Sequence, residues 1–190
     1  MQRDKHENDQ LYEYIKKIAE QDRDAFGKFY YAFSPRLANF LFKFLKQNDY
    51  VDEAVGDVML VVWQNAARYK PTSKVSTWVF GIAYKKALKI LARDRVSQNR
   101  HISFEEEEID LPIDDCERPD FLAQHTELHH SIVSALDALS ASHRAVIEMV
   151  FFEGFTHPEI AEILDCPVNT VKTRVHHAKK QLMNHLSAHQ

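Results

Sequence analysis

At 190 residues and 22.2 kDa the chain has room for one ordinary domain or two small ones, and its 45% apolar and 27% charged residues describe a core-forming protein rather than a disordered one. The net charge of −4 argues only mildly against a nucleic-acid partner, while the four scattered glycines, Gly27, Gly56, Gly81 and Gly154, exclude the glycine-rich loops that cradle nucleotide phosphates. Two cysteines 50 residues apart, Cys116 and Cys166, are too few for a disulfide scaffold or a thiolate zinc site.

In chain order, apolar spacing predicts helices near 9–20, 23–33, 36–47, 51–67 and 76–95, with breaks at Ser34-Pro35 and at Pro71-Thr72-Ser73. Leu37, Phe40, Leu41, Phe44 and Leu45 keep the spacing of one helix face. Val55, Val58, Met59 and Val62 repeat it, as do Val79, Ile82, Ala83 and Ile90. The apolar runs, such as Val58 to Trp63, are too short to span a membrane, and Met1 to Lys5 lack an apolar signal core, so a cytoplasmic protein without membrane insertion is expected.

Residues 97–124 read as an extended acidic linker: Glu105 to Glu108, Asp114 and Asp115 lie among Pro112 and Pro119. Helices are then expected near 126–138 and 142–153, the second closed by Gly154. Thr156-His157-Pro158-Glu159 has the form of a capping box and opens a short helix with Ile160, Ala161, Ile163 and Leu164. Asp165-Cys166-Pro167 ends that helix, and a longer basic one follows, packed by Val171, Val175, Ala178 and Leu182. The expected fold class is all-α: two small helical domains, 1–96 and 125–190, joined by the acidic linker 97–124, the C-terminal one a helix-turn-helix.

Charge is distributed unevenly. Residues 1–96 carry 17 basic and 12 acidic groups, 97–131 carry 2 and 10, and 132–190 carry 5 and 6. Arg68 to Arg95 hold eight basic residues against the single acid Asp94; Val168 to Gln190 hold four and no acid. Lys85, Lys89 and Arg93 fall at four-residue steps, with Lys86 beside them and Trp78, Phe80 and Tyr84 interleaved. Cations beside stacking platforms suit a single nucleic-acid strand. Trp78 equally fits a buried core position at the start of an amphipathic helix, and Phe80 and Tyr84 are balanced between the two roles. An acid-free second helix of a helix-turn-helix suits a major groove.

Asp22-Arg23-Asp24-Ala25-Phe26, Asp57-Val58-Met59-Leu60-Val61-Val62-Trp63 and Ser76-Thr77-Trp78-Val79-Phe80-Gly81-Ile82-Ala83 resemble the promoter-melting domain of bacterial extracytoplasmic-function (ECF, group IV) sigma factors. Ala135 to Ser140, Arg144 to Ile147, Glu159-Ile160-Ala161 and Thr170 to Arg174 resemble their promoter-reading domain. The resemblance implies a subunit of bacterial RNA polymerase, without catalytic activity or cofactor, whose partners are core RNA polymerase, promoter DNA and an anti-sigma factor. It implies −10 recognition and melting by Lys70, Ser73, Lys74, Trp78, Phe80, Tyr84, Lys85, Lys89 and Arg93. Polymerase binding falls to Asp52, Glu53, Asp57 and Trp63, and −35 recognition to Pro167, Asn169, Thr170, Lys172, Thr173, Arg174, His176, His177 and Lys180. Relatives often carry asparagine at Lys85 and arginine at His177, so an altered promoter sequence is expected; they commonly carry glutamine at Gly56, so an altered polymerase contact is expected there. Phe151 to His157 and Asp57-Val58-Met59 resemble the subgroup controlled by soluble zinc-containing anti-sigma factors of the photooxidative response.

Eleven histidines raise a metal reading, but His-Glu-x-x-His is absent and Glu127-Leu128-His129-His130 supplies only one Glu-x-x-His, so no intrinsic metal is expected. A stand-alone dimeric helix-turn-helix regulator is the alternative function; it has no need of the interleaved aromatic and basic helix of the N-terminal half.

Overall fold

The computed structural model describes residues 2–98 and 126–187, except for the side chains of 2–7, 95–98 and 126–130. The expected linker therefore lies outside the described residues, apart from 97 and 98, which end a helix. Among the described residues there is no strand. The elements are α1 Gln2–Ala19, α2 Arg23–Leu45, α3 Asn48–Asn65 with a 3-10 turn Ala66–Arg68, α4 Val75–Gln98, α5 Thr126–Asp137, α6 Ala141–Ile147, α7 His157–Leu164 and α8 Val168–Ser187. They divide into two compact units, one around α1–α4 and the other around α5, α6, α8 and the N-terminal part of α7.

Local chemistry sets the boundaries of α2. Asp22 caps it, accepting from the Ala25 N–H at 3.0 Å. Lys46 ends it in the left-handed region, its N–H returning to the Phe42 carbonyl. The expected break at Ser34-Pro35 does not occur, and the two helices foreseen there are one. Proline fits helical φ, but it gives up the hydrogen bond to the Tyr31 carbonyl and crowds that carbonyl with its ring. Tyr31 is 82% exposed and Pro35 lies on the same solvent side, so water can serve that carbonyl. The buried face meanwhile runs without interruption through Ala25, Phe29, Phe33, Leu37, Phe40, Leu41, Phe44 and Leu45.

An aromatic core joins α2 to α4. Phe29 stacks on Phe33 at 4.8 Å, Phe40 meets Phe44 edge-on at 5.0 Å, and Phe80 of α4 meets Phe40 edge-on at 5.0 Å. Such pairs contribute about 0.5–1.5 kcal/mol each beyond the area they bury. The α1 helix secures the start of α4, since Asn8 Oδ1 accepts from the Val75 N–H at 3.1 Å. Thr77, in the first turn of α4, is 1% exposed and its hydroxyl has no hydrogen-bond partner.

In the second unit Ser140 caps α6 by accepting from the His143 N–H. Leu136, Leu139, Ile147 and Ala178 form the core with Leu182 at its edge. The buried Arg144 guanidinium is held by Asp137, with Glu148 3.9 Å away on its other side. The helix expected to reach 153 widens into a π turn over Glu148–Phe152, which leaves Phe151 and Phe152 exposed. Gly154 follows at φ +71° and the Phe155 N–H bonds the Met149 carbonyl.

The capping box forms by one arm. Glu159 Oε2 accepts from the Thr156 N–H at 2.8 Å and also from the Thr156 hydroxyl at 2.7 Å, so the threonine oxygen is drawn to the carboxylate instead of to a backbone N–H. Asp165 at φ +53° makes the turn into α8, and the Cys166 N–H bonds the Ala161 carbonyl.

Two substitutions follow from these positions. Thr77→Val removes a buried hydroxyl that lacks a partner and should raise stability by about 1 kcal/mol. Gly154→Ala places a Cβ in the left-handed region and should lower it by about 1 kcal/mol. Chemical denaturation midpoints with an unchanged slope would measure both.

Candidate nucleic-acid interface

The first unit presents α4 with two unlike faces. Val75, Val79, Phe80, Ala83, Ala87 and Ile90 are buried, whereas Lys85 and Lys89 are exposed. Lys70 and Lys74 are exposed in the loop ahead of the helix. The same loop holds Ser73, whose carbonyl accepts from the Tyr69 hydroxyl. Tyr69 lies 5.1 Å from Trp78 and 6.1 Å from Tyr12, ring to ring, and its burial raises the phenol above its ordinary value. Trp78 is thus half-buried, one side on Tyr69 and part of its surface open to a base. Tyr84 is half-buried, edge-on to Phe44 at 6.1 Å.

Phe80 corrects the sequence reading. It has no exposed surface, sits against Phe33 and Phe40, and carries the Arg36 guanidinium 5.0 Å from its ring. A base cannot stack on it without unpacking the core, so it supports the site from beneath.

Arg93 also departs from expectation. It does not extend the stripe of Lys85 and Lys89 as an unengaged cation but makes a bidentate pair with Glu53 of α3, both distances 2.9 Å. The pair holds the Glu53 carboxyl below its ordinary range. Beside it the Tyr50 hydroxyl donates to Asp94 at 3.0 Å, and Lys86 binds Asp57 at 2.8 Å. Two of the acids expected to meet polymerase are therefore already bound to α4, while Asp52 stands exposed. Trp63 lies edge-on to Phe26 at 5.1 Å. It closes a groove of about 530 Å³ lined by Arg23, Phe26, Tyr30, Gly56, Met59, Leu60 and Trp63. Of these, sequence reasoning assigned Trp63 to polymerase binding and marked Gly56 as a departure there. The signal available was Leu60, an apolar residue off the buried stripe of α3 and 51% exposed. Gly56 has no heavy atom near where a Cβ would stand, so this position leaves the groove open.

In the second unit α8 turns Val171, Val175 and Ala178 inward. Pro167, Asn169, Lys172, Thr173, His176, His177 and Lys180 are exposed; Thr170 and Arg174 are half-buried. The Thr173 hydroxyl donates to the Asn169 carbonyl at 2.9 Å, so this side chain offers DNA an acceptor and a methyl group. Lys179 lies over the Phe151 ring at 5.1 Å. Helix, tight turn and acid-free helix match the geometry that delivers side chains to base edges.

No helix among the described residues is long and apolar enough to cross a membrane, and no group of three or more histidine, cysteine or acidic residues there could hold a metal ion.

Two family descriptions match the chain, Sigma-70 region 2 over residues 29–96 and Sigma-70 region 4 over 129–182. The ECF RNA polymerase sigma factor RpoE of Cereibacter sphaeroides is 29% identical over 168 residues, covering 88% of this chain and 89% of its own. Two solved structures share the fold. CnrH in complex with the cytosolic domain of CnrY aligns with a TM-score of 0.66 at 20% identity, covering 94% of this chain and 98% of its own. Sigma factor RpoE in complex with the anti-sigma factor NepR from Bartonella quintana aligns at 0.63 and 21%, covering 85% and 96%. With both matches in chain order, region 2 on the unit that carries α4 and region 4 on the unit that carries α8, the chain belongs to the sigma-70 family and is an RNA polymerase sigma factor of the ECF group.

Proposed function

We propose that residues 1–96 bind core RNA polymerase and open the −10 element, that 97–124 connect the domains, and that 125–190 read the −35 element. The observation that carries this reading is the pairing of two basic helices in one chain. α4 sets Lys85 and Lys89 beside the half-buried aromatics Trp78 and Tyr84, and α8 sets an acid-free exposed face behind a tight turn. The first suits an opened strand, where stacking and phosphate contact act together. The second suits duplex.

In the −10 site Lys70, Lys74, Lys85 and Lys89 track phosphates, Ser73 shapes the loop, and Trp78 and Tyr84 offer ring surface to an unstacked base. Arg93 joins only if Glu53 releases it. An exposed ion pair is screened by water and weak, so an approaching phosphate can displace the carboxylate. The released Glu53, with Asp52 and Asp57, then faces the polymerase beside the α2–α3 groove that ends at Trp63.

In the −35 site Lys172 and Lys180 contact phosphate, and Pro167, Asn169, Thr170 and Arg174 position the helix. Thr173, His176 and His177 reach base edges. Histidine at 177 provides one donor or acceptor per ring nitrogen where arginine would bind guanine through two, and the promoter differs accordingly.

RNA synthesis itself falls to the core enzyme, and the setting is the bacterial cytoplasm. CnrH and the Bartonella RpoE were each solved with a bound protein, named an anti-sigma factor in the second case. By extension an anti-sigma factor holds this chain inactive, and the resemblance carried by Phe151 to His157 and Asp57-Val58-Met59 favours one of the zinc-containing kind.

Run-off transcription with bacterial core polymerase tests the whole reading: the full chain should direct initiation, and failure to associate with core sinks it. Leu60→Asp, in the groove, should weaken capture by core at least about tenfold. Lys172→Ala should weaken duplex binding on every promoter variant and reduce the salt slope by about 1. His177→Ala should instead relax one base position, at about 1–3 kcal/mol of lost discrimination; equal losses on all variants would remove His177 from base readout. Replacing Glu105 to Glu108 by glutamine should change the yield of abortive transcripts if the linker enters a basic channel of polymerase. An unchanged yield would make it a plain tether.

A further inference from the structure

His143 stands outside the recognition helix, in the first turn of α6, yet it is tied to that helix. Its Nδ1 lies 3.0 Å from Oε1 of Gln181 on α8. An amide oxygen only accepts, so the imidazole carries its proton on Nδ1 and presents Nε2 as the acceptor when neutral. The His143 ring lies 6.4 Å from that of His177, which lies 5.6 Å from that of His176. Both α8 histidines are exposed and His143 is half-buried. The three imidazoles form one surface row that begins on the face of α8 assigned to DNA and continues onto α6.

The charges around this row are almost all positive. On α8 itself stand Lys172, Arg174, Lys179 and Lys180, with His185 a turn beyond Gln181 and 3.2 Å from the Ser134 hydroxyl of α5. Among the described side chains of the elements packed against α8, α5 contributes Asp137 and α6 contributes Arg144, with Glu148 just past its end. Arg144 binds Asp137 and has Glu148 on its other side, so those acids are occupied within the unit. No carboxylate between 166 and 190 competes for an imidazolium.

Resting on the reading of α8 as the duplex-binding helix, we infer that His143 is a further DNA-contacting residue, and that with His176 and His177 it makes duplex binding a proton-coupled step. Protonation of His143 leaves the Nδ1–H on Gln181 and turns Nε2 from acceptor to donor. The ring gains a phosphate contact without changing its partner. Imidazoles charge between about pH 5 and 8, and a phosphate backbone binds the imidazolium in preference to the neutral ring. Linkage then requires proton uptake on binding, so affinity rises as pH falls through that range.

The test is fluorescence anisotropy of the full chain with a labelled mixed-sequence duplex about three helical turns long, at fixed salt, from about pH 8 to pH 6. Wild-type affinity should rise about tenfold across that range, and its salt slope should steepen by about 1 for each imidazolium placed on a phosphate. His143→Asn should lose a share of the rise and about 1 of the added slope. His143→Arg, charged throughout, should gain at the upper pH the share of the rise that His143→Asn loses, and it keeps the proposal testable should His143→Asn fold poorly. A flat wild-type profile overturns the proposal, as does a wild-type profile in His143→Asn. Lys172→Ala separates the two readings: if it weakens binding at every pH while the histidine variants titrate as wild type, proton coupling alone fails. If it binds as wild type at every pH, the assignment of α8 to duplex fails with it.

Discussion

The first unit depends on the burial of Phe80 against Phe33 and Phe40. Removing such a ring from water is worth about 1.5–3 kcal/mol, and losing one from a packed core costs about 3–5 kcal/mol. The contact fixes the rotation of α4 about its own axis. Once Phe80 points inward, Lys85 and Lys89 must point outward, because the helical period allows no other arrangement. Asn8 pins the start of α4 through the Val75 N–H, so rotation and axial position are both set. The cations of α4 are thereby presented at a fixed height, and the greasy inner face supplies that rigidity.

Electrostatics then divides the surface. A net charge of −4 conceals two basic helices, since most of the excess acid lies between them in sequence. Within the first unit α3 answers α4 charge for charge, Glu53 to Arg93 and Asp57 to Lys86. The Glu53–Arg93 pair is exposed and the Asp57–Lys86 pair half-exposed, so both are weakened by water, and a weak pair is one that a partner's charges can exchange. The apolar groove along α2 and α3 lies beside them, so one face combines exchangeable charges with apolar surface.

The second unit is held by its punctuation and by one buried cation. Ser140, Gly154, Glu159 and Asp165 each close a helix end or a turn through a named hydrogen bond or a positive φ. Arg144 at 4% exposure bridges Asp137 and Glu148 under α6. Such a charge does not tolerate removal of Asp137, which would take away its hydrogen-bonded partner in the interior. The result is a stable platform from which α8 presents an exposed basic face, its internal side-chain contacts including Gln181 with His143, Thr173 with the Asn169 carbonyl, Lys179 with Phe151 and His185 with Ser134.

Much of this was legible in the amino-acid order, because it depends on local chemistry. Periodicity located the helices, Asp165-Cys166-Pro167 marked the turn, and the absence of acids after Asp165 marked the face of α8. What remained hidden was non-local. Whether Phe80 or Trp78 enters the core depends on Phe33 and Phe40, about 40 or more residues away and on another helix. Pro35 was read as a break because its lost hydrogen bond is a local cost, while the uninterrupted apolar face that outweighs it is a tertiary gain. Arg93 and Lys86 could not be known as paired before α3 was laid beside α4, nor could His143 be placed beside His177. Sequence alone determined the helices and the sign of their faces, since side-chain type and a fixed period suffice for that; which groups are spent on each other and which remain exposed was decided only when helices distant in the chain packed together, since pairing is a matter of distance in space.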